Sequence, residues 1–210
     1  MSNQFIIAVV FSYFLGAIPT AYIFGRLLKG IDIRQHGSGN VGATNALRVL
    51  GKGPGAAVLL LDIFKGTLAT TLVPDVLGLN QIWQYVVLAL TAVGGHNWTV
   101  FLNFKGGKGI ATSLGVLIGL AIQIASIRIV LLATVGSWAV VFLLSGYVSL
   151  ASIVAAVVLP LVMVFTLQPL ALTILGVIIC LSVVLRHRNN IKRLLKGEES
   201  RVFFPFQKRP

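Results

Sequence analysis

The chain has 210 residues, of which 57% are hydrophobic and only 10% are charged; soluble domains carry about 25% charged residues, so a soluble globular protein is excluded. Its 17 Lys and Arg residues outnumber its 5 Asp and Glu residues and give a net charge of +12. Because no soluble module for reading nucleic acid is present, this charge indicates basic loops at a membrane surface and contact with anionic lipid.

Seven apolar stretches predict an all-α, polytopic membrane protein, since a spanning helix needs roughly 20 apolar residues. The first stretch lacks the basic segment that precedes a signal peptide, so we expect it to be retained as a helix. The predicted spans are 4–28, 54–74, 81–101, 110–127, 129–146, 149–167 and 170–186. We expect 1–210 to form a single seven-helix domain with a basic cytoplasmic tail from about residue 187.

The Lys and Arg residues predict the orientation of this bundle. With the N-terminus outside, the segments that face the cytoplasm are 29–53, 102–109, the short turn near 147 and the tail after 186. They hold nearly every cation, while Asp75 and Arg128 stay outside. Cytoplasmic loops favour Lys and Arg, so the N-terminus is predicted outside and the C-terminus in the cytoplasm. This arrangement puts three polar clusters on the same face.

The first cluster is Gly37–Arg48 (GSGNVGATNALR). It matches GxGxxG, but no strand precedes it, so a dinucleotide fingerprint is not supported. Glycines allow backbone N–H groups to converge on an anion, and a following helix adds its positive end. Ser38, Thr44 and Asn45 add neutral donors, and Arg48 adds a cation suited to phosphate. The alternative is a glycine-rich turn between helices.

The second cluster, Gly94–Thr112, contains the sequence KGGKG at 105–109. It is not a Walker A loop, because Gly109 follows Lys108 where that motif needs Ser or Thr, so a nucleotide-hydrolysing function is poorly supported. Two lysines among three glycines at the start of a span predict a phosphate cradle. The alternative is a lysine anchor at the end of a helix.

The third cluster is Arg186–Glu199 (RHRNNIKRLLKGEE). It predicts a short helix that ends at the glycine, on which His187 and Asn190 share a face because they are three residues apart. We expect Glu198 and Glu199 to brace neighbouring arginines. The final ten residues mix aromatic side chains with cations and are expected at the membrane interface.

Other ionisable residues lie within or beside the apolar stretches. Asp62 and Lys65 are three residues apart inside the second predicted span, so they can form a pair, and a structural and a functional role stay equally open. A lone histidine near a membrane interface is more often a polar anchor than a catalyst, which applies to His36 and His96. Cys180 lies in an apolar stretch and indicates no disulfide framework.

Taken together, the three clusters resemble those of the PlsY family, the acyl-phosphate:glycerol-3-phosphate acyltransferases of bacterial phospholipid synthesis. The resemblance covers length, number of spans, orientation and the order of the motifs GSGNVGATN, GGHNWTVFLNFKGGKG and RHRNNIKRLLKGEE. It implies transfer of a fatty acyl group from acyl phosphate to the 1-hydroxyl of glycerol 3-phosphate, which gives lysophosphatidic acid and phosphate. It also implies a multi-pass protein of the bacterial cytoplasmic (inner) membrane whose active site faces the cytoplasm.

The resemblance further implies roles for individual residues. The catalytic residues, which would bind the phosphate of glycerol 3-phosphate, would be Ser38, Arg48, Lys108, His187 and Asn190. The acyl phosphate would be cradled by Lys105, Gly106, Gly107 and Gly109. The rest of the substrate site would be lined by Gly37, Gly39, Asn40, Thr44, Asn45 and Glu198. The acyl chain would lie between helices, and we expect no metal ion and no cofactor. Expected partners are glycerol 3-phosphate, long-chain acyl phosphate, membrane lipids and the enzyme that supplies acyl phosphate, with no nucleic acid.

The chemistry of an acyl phosphate agrees with these residue types. It is an activated anhydride, so no protein nucleophile is required, and the harder task is to hold two phosphate-bearing molecules together with cations. No histidine is followed five positions later by aspartate, so the H-x-x-x-x-D pair of another acyltransferase family is absent. His187 stays open as a general base, ranked below phosphate binding.

Two other classes of function compete with an enzyme. A transporter or channel for a phosphorylated metabolite would also use helices, glycines and cations, but transporters place their sites near the midplane and show repeated halves. This chain has no internal repeat, and its cations lie on one side. A structural scaffold leaves the three clusters without a purpose, so the enzyme is favoured.

Overall fold

The computed structural model describes residues 2–202, and the chain divides into two compact units, Met1–Ala125 and Ser126–Pro210. Within residues 2–202 the regular secondary structure is entirely helical, which confirms the predicted all-α class. Most of the tail segment expected at the membrane interface, 203–210, lies outside the described residues.

The first unit contains seven α-helices within the described residues. They are α1 (Asn3–Ala17), α2 (Thr20–Lys29), α3 (Ala43–Leu50), α4 (Lys52–Thr70), α5 (Leu72–Val76), α6 (Ile82–Asn97) and α7 (Ile110–Gln123). The second unit, as far as residue 202, contains four, α8 (Ile127–Ser145), α9 (Val148–Phe165), α10 (Leu170–Arg186) and α11 (Arg188–Leu195). The predicted cytoplasmic helix is thus α11, and Gly197, with a φ of 71°, follows it as expected of a glycine stop.

Four stretches within the described residues are long and apolar enough to cross a membrane, or six if each of two bent helix pairs forms one span. The bent pairs are α1 with α2 and α10 with α11. The predicted span at 110–127 corresponds to α7, which has only 14 residues and therefore rises about 21 Å. A membrane protein with several apolar helices is confirmed, whereas the count of seven spans stays a prediction.

The break between α1 and α2 falls at Pro19, whose ring cannot continue the helix, and the two helices meet at 40°. Such a break leaves backbone carbonyl groups without their helical donors. Thr99 Oγ1 donates a hydrogen bond to the carbonyl of Ala17 at 2.6 Å. Lys65 Nζ donates to the carbonyl of Ile18 at 2.9 Å. Side chains from α4 and from the segment after α6 therefore stabilise the break.

Glycines let the helices of the first unit pack backbone against backbone. A Cβ atom at Gly16 of α1 would overlap the main chain of α6, and one at Gly95 of α6 would overlap that of α1. Gly66 of α4 and Gly115 of α7 form the same kind of reciprocal contact. Small residues at helix contacts are typical of membrane proteins, in which dispersion forces dominate helix association.

In the second unit, α9 packs against both α8 and α10. Trp138 Nε1 of α8 donates a hydrogen bond to Ser152 Oγ of α9 at 3.2 Å. After α11 the chain returns to the turn between α8 and α9, where the Val202 amide donates to the carbonyl of Gly146 at 2.9 Å. Residues 198–202 thus form a strap that joins α11 to that turn.

Alanine should destabilise the protein at a glycine packed between α4 and α7, and it should stabilise the protein at a glycine in an open helix position. Gly115→Ala forces a methyl group against the carbonyl of Ile63 and should lower the free energy of unfolding by about 1–3 kcal/mol. The matched control Gly136→Ala, in a helix with open space around it, should raise it by about 0.5–1 kcal/mol. Thermal unfolding in detergent measures both, and an equal shift of the two midpoints would contradict the packing argument.

Candidate active site

The first glycine cluster forms a tight turn that leads into α3. Gly37 and Gly39 have φ values of 61° and 70°, which glycine adopts without the strain that a side chain would add. The helix begins at Ala43, and its N-cap residue Gly42 supplies no side-chain hydrogen bond. The turn and the helix N-terminus predicted from this cluster are therefore both present.

Asn45 determines the shape of this turn from beneath it. Its side chain is only 1% exposed, and its Oδ1 accepts a hydrogen bond from the Ser38 amide at 2.8 Å. Its Nδ2 donates to the carbonyls of His36 at 3.0 Å and Ile33 at 3.3 Å. All three hydrogen bonds go to the main chain, so in this structure Asn45 supports the loop.

The polar side chains on the outer surface of the turn are those expected of an anion site. Ser38, Thr44 and Arg48 are exposed, and Asn40 is half-buried beside Gly42. Thr44 and Arg48 are four residues apart on α3 and so share one face of the helix. A hydroxyl group and a guanidinium group on this face can both donate to a phosphate oxygen.

The second glycine loop packs against the end of α6 and against the first loop. The Gly106 amide donates to the carbonyl of Asn97 at 3.2 Å, and the Gly107 amide donates to that of His96 at 3.1 Å. A methyl group on Gly107 would overlap His96 Nε2 and would lie 2.9 Å from the carbonyl oxygen of Val41. The structure therefore brings the first and second clusters into contact.

The lysines of the second loop lie at the start of α7. Lys105 is exposed and Lys108 is half-buried. Gly109 has a φ of 80° and is the N-cap residue of α7, and its carbonyl accepts a hydrogen bond from the Ser113 amide at 2.7 Å. The cations expected to bind phosphate thus flank the N-terminus of a helix, which favours anions.

Asp62 and Lys65 form the predicted pair within α4. They are 1% and 4% exposed, and Lys65 Nζ lies 2.8 Å from Asp62 Oδ1. The same oxygen accepts a hydrogen bond from Thr20 Oγ1 at 2.7 Å, and His96 Nδ1 lies 3.7 Å from it. Close pairing and the hydrogen bonds at Oδ1 offset part of the cost of burying two charges in an apolar segment.

A second acidic residue, Asp32, fixes the chain as it enters the first loop. Arg34 donates to both of its carboxylate oxygens, with Nη2 2.6 Å from Oδ2, and Arg26 Nη2 lies 3.8 Å from Oδ2. Both guanidinium groups also lie over the ring of Tyr22, at 5.2 and 5.4 Å. The hydrogen bonds from Arg34 outweigh burial and lower the pKa of Asp32 to about 2.

The third cluster lies in the second unit, at the bend between α10 and α11. His187 is 3% exposed, and its Nδ1 lies 2.8 Å from the carbonyl of Val183. Because a carbonyl oxygen can only accept, Nδ1 carries the proton in this contact. The contribution of His187 and Asn190 to a substrate site stays a prediction of the resemblance.

The sequence predicts that both tail glutamates brace neighbouring arginines, and in the structure Glu199 of the strap makes such a contact. Asn190 Nδ2 and Arg193 Nε each donate to the carboxylate of Glu199 at 2.7 Å. Burial raises the pKa of Glu199, but these hydrogen bonds outweigh it and the pKa is lowered overall. Glu198 is exposed, and its place in the substrate site stays a prediction.

The sequence and the helical fold of this chain are both similar to those of known proteins. The sequence model of the family described as glycerol-3-phosphate acyltransferase matches residues 6–197. The chain belongs to the glycerol-3-phosphate acyltransferase family. This confirms the resemblance inferred from the three clusters.

Relatives and solved structures agree with that assignment. The chain is 46% identical over 209 residues to a glycerol-3-phosphate acyltransferase of Nostoc sp., covering 92% of this chain and 90% of the relative. It is 44% identical over 196 residues to that of Gloeobacter violaceus, covering 92% and 93%. It is also similar to the crystal structure of PlsY, an integral membrane glycerol 3-phosphate acyltransferase, in its glycerol 3-phosphate form, with 38% identity, a TM-score of 0.87 and 96% of each chain covered. For the lysophosphatidic acid form, identity is 37%, the TM-score is 0.83 and coverage is again 96% of each chain.

Two contributors to the loops were missed by sequence reasoning. The sequence predicts only a polar anchor at His96. Its position at the end of an apolar stretch, just before the glycine loop, could have indicated a contact with that loop. Asp32 was not singled out, although an Asp two residues before Arg34 in a short polar segment permits a local ion pair.

The lowered pKa of Asp32 predicts how stability depends on pH. An unfolded aspartate has a pKa of about 3.9, so the stabilisation by the folded carboxylate is fully present above that pH and is lost as the pH falls towards 2. Asp32→Asn should therefore lower the unfolding midpoint at pH 6, and the difference from the unmodified protein should shrink between pH 4 and pH 2. Arg34→Gln removes the main donor and should give the same trend, whereas a difference independent of pH would contradict the ion pair.

Proposed function

We propose that the chain transfers a fatty acyl group from acyl phosphate to the 1-hydroxyl of glycerol 3-phosphate and releases lysophosphatidic acid and inorganic phosphate. Membership of the family supports glycerol 3-phosphate as the acceptor. The observation that carries the proposal is the contact between two glycine loops of the first unit, through Gly107 and Val41. Each loop carries cations and precedes a helix N-terminus, so the pair can accommodate two phosphate groups.

Acyl phosphate as donor removes the need for a nucleophile on the protein. The 1-hydroxyl oxygen bonds to the acyl carbonyl carbon, the bond from that carbon to the bridging phosphate oxygen breaks, and the hydroxyl proton passes to the departing phosphate. The protein then has to hold the hydroxyl next to the carbonyl, since proximity alone can supply about 7–11 kcal/mol of the barrier. Backbone N–H groups near the carbonyl would stabilise the negative charge that develops on its oxygen.

The exposed donors of the first loop suit the phosphate of glycerol 3-phosphate. We assign this role to Ser38 and Arg48, together with Lys108 of the second loop. A bidentate guanidinium contact and an ammonium group offset the charge of a phosphate better than neutral donors do. His187 and Asn190 keep the same role as a prediction of the resemblance, with phosphate binding ranked above general-base catalysis for His187.

The second loop suits the phosphate of the acyl donor. Gly106 and Gly107 let the loop lie against the end of α6, Lys105 is exposed, and Gly109 leads directly into α7. A phosphate held here would meet both the lysine charge and the positive end of the helix. The acyl chain would extend between apolar helices.

The proposal includes the topology predicted from the sequence. Counting α7 and α10 as spans, with α1 and α2 as one bent span, gives seven spans in a single domain, with the N-terminus outside and the C-terminus in the cytoplasm. Both glycine loops would then face the cytoplasm of a bacterial cell, where glycerol 3-phosphate and the enzyme that supplies acyl phosphate would be met. Labelling of introduced cysteines with an impermeant reagent, in a background lacking Cys180, tests each loop.

The donor is tested by supplying purified protein with glycerol 3-phosphate and, in turn, acyl phosphate, acyl-CoA or acyl carrier protein. Phosphate release and lysophosphatidic acid formation are measured together. We expect turnover with acyl phosphate alone, because only this donor offers a second phosphate beside the carbonyl. Turnover with a thioester donor alone would overturn the proposed donor.

The acceptor site is tested by Arg48→Ala and Lys108→Ala. Each removes a charged hydrogen-bond donor, worth about 1.5–3 kcal/mol, so the KM for glycerol 3-phosphate should rise roughly 10- to 150-fold. The matched control is Lys52→Ala, an exposed cation of the same predicted cytoplasmic segment as Arg48, for which KM should change less than about twofold. Unchanged kinetics in Arg48→Ala or Lys108→Ala would remove that residue from the site.

A further inference from the structure

The most unusual charges of the first unit lie inside α4, in a stretch long and apolar enough to span a membrane. Asp62 and Lys65 are almost fully buried there. Ionisable residues at membrane depth are costly, and by default they indicate a functional contact. Lys65 donates to the carbonyl of Ile18 at the break between α1 and α2, and Asp62 is its counter-charge. Asp62 also has contacts beyond this pairing.

Three segments of the first unit converge on one carboxylate oxygen of Asp62. Thr20 Oγ1 at the start of α2 donates to Oδ1 at 2.7 Å, and Lys65 Nζ lies 2.8 Å from the same atom. His96, near the end of α6, brings its Nδ1 to 3.7 Å. The carboxylate therefore makes short contacts with α2 and within α4, and it lies beside the end of α6.

His96 extends this connection to the second glycine loop. Its imidazole Nε2 lies where a methyl group on Gly107 would be, and its carbonyl accepts the hydrogen bond of the Gly107 amide at 3.1 Å. A carboxylate beside Nδ1 favours the tautomer with the proton on that nitrogen, which directs Nε2 towards the loop. The ring thus lies between Asp62, 3.7 Å from its Nδ1, and Gly107, beside its Nε2.

We propose that Asp62 and His96 are positioning residues for acyl transfer, in which the carboxylate orients the imidazole and the imidazole fixes the 105–109 loop. The proposal rests on the proposed function of that loop as the cradle of the acyl phosphate. Glycines restrict the main chain little, so neighbouring groups must set the path of the loop. A displacement of about 1 Å at such a site can cost about 100-fold in rate.

Substitution of His96 tests the link without disturbing the buried ion pair. His96→Leu removes both ring nitrogens and should raise the KM for acyl phosphate roughly tenfold, with a smaller effect on the KM for glycerol 3-phosphate. His96→Gln keeps an amide that can donate towards Asp62 and should recover most of the lost affinity. The matched control is Thr70→Val in α4, which removes a buried hydroxyl bonded to the carbonyl of Val116 and should lower the unfolding midpoint while leaving both KM values unchanged.

A double-mutant cycle tests whether Asp62 acts through His96. Asp62→Asn should raise the KM for acyl phosphate in the same direction as His96→Leu. In the double variant the increase in KM should be smaller than the product of the two single increases. Once His96 is replaced, Asp62 no longer has an imidazole to orient, so its loss adds little. If Asp62→Asn fails to fold because it leaves Lys65 without its counter-charge, the His96 variants still decide the proposal.

The outcomes separate this inference from the proposed function. Unmodified protein that turns over acyl phosphate, together with a His96→Leu variant whose KM values are unchanged, would overturn the positioning role alone. The positioning role is equally overturned if His96→Leu and Thr70→Val change KM by the same factor, since the effect would then reflect stability. Absence of turnover in folded, unmodified protein would overturn the proposed function and with it this inference.

Discussion

The break between α1 and α2 leaves main-chain carbonyl groups that need hydrogen-bond donors, and other parts of the first unit provide them. Inside a membrane, a main-chain carbonyl left unbonded at a break in a helix has no water to accept from, so the protein must supply a donor. Thr99 supplies one for Ala17, and Lys65 adds one for Ile18, whose carbonyl also accepts from the Thr20 amide. A buried ammonium group needs a counter-charge in turn, which is Asp62. One interrupted helix thus accounts for a lysine, a threonine and an aspartate in otherwise apolar surroundings.

Glycine serves two different purposes in this chain. At Gly16 and Gly115 its missing side chain allows helices to approach within main-chain contact, which fixes how the apolar segments pack. At Gly37 and Gly107 it allows the loops to turn and to lie against each other. Both uses bring polar main-chain groups close together, so the close packing of the helices and the paths of the loops depend on the same residue type.

The sequence was sufficient for the helical fold, the position of the apolar segments and the two glycine loops, because hydropathy and glycine spacing are local signals. It also predicted the pair of Asp62 with Lys65, since a separation of three residues is close to one helical turn. It did not reveal that Asn45 lies beneath its loop, because a donor side chain looks the same whether it faces a ligand or the main chain. Nor could it distinguish Glu199 from Glu198, since only the path of the strap decides which carboxylate meets Asn190.

The length of α7 has a consequence for where the chemistry takes place. A helix that rises about 21 Å is about 9 Å shorter than the hydrocarbon layer of a typical bilayer, about 30 Å. Such a hydrophobic mismatch is relieved when the lipid thins around the helix or when flanking lysines extend to the surface. If α7 spans the bilayer as proposed and its lysines extend to the surface, the loop before α7 lies near the first carbons of the lipid tails. The acyl donor of the proposed function could then present its carbonyl there while its chain stays in the bilayer.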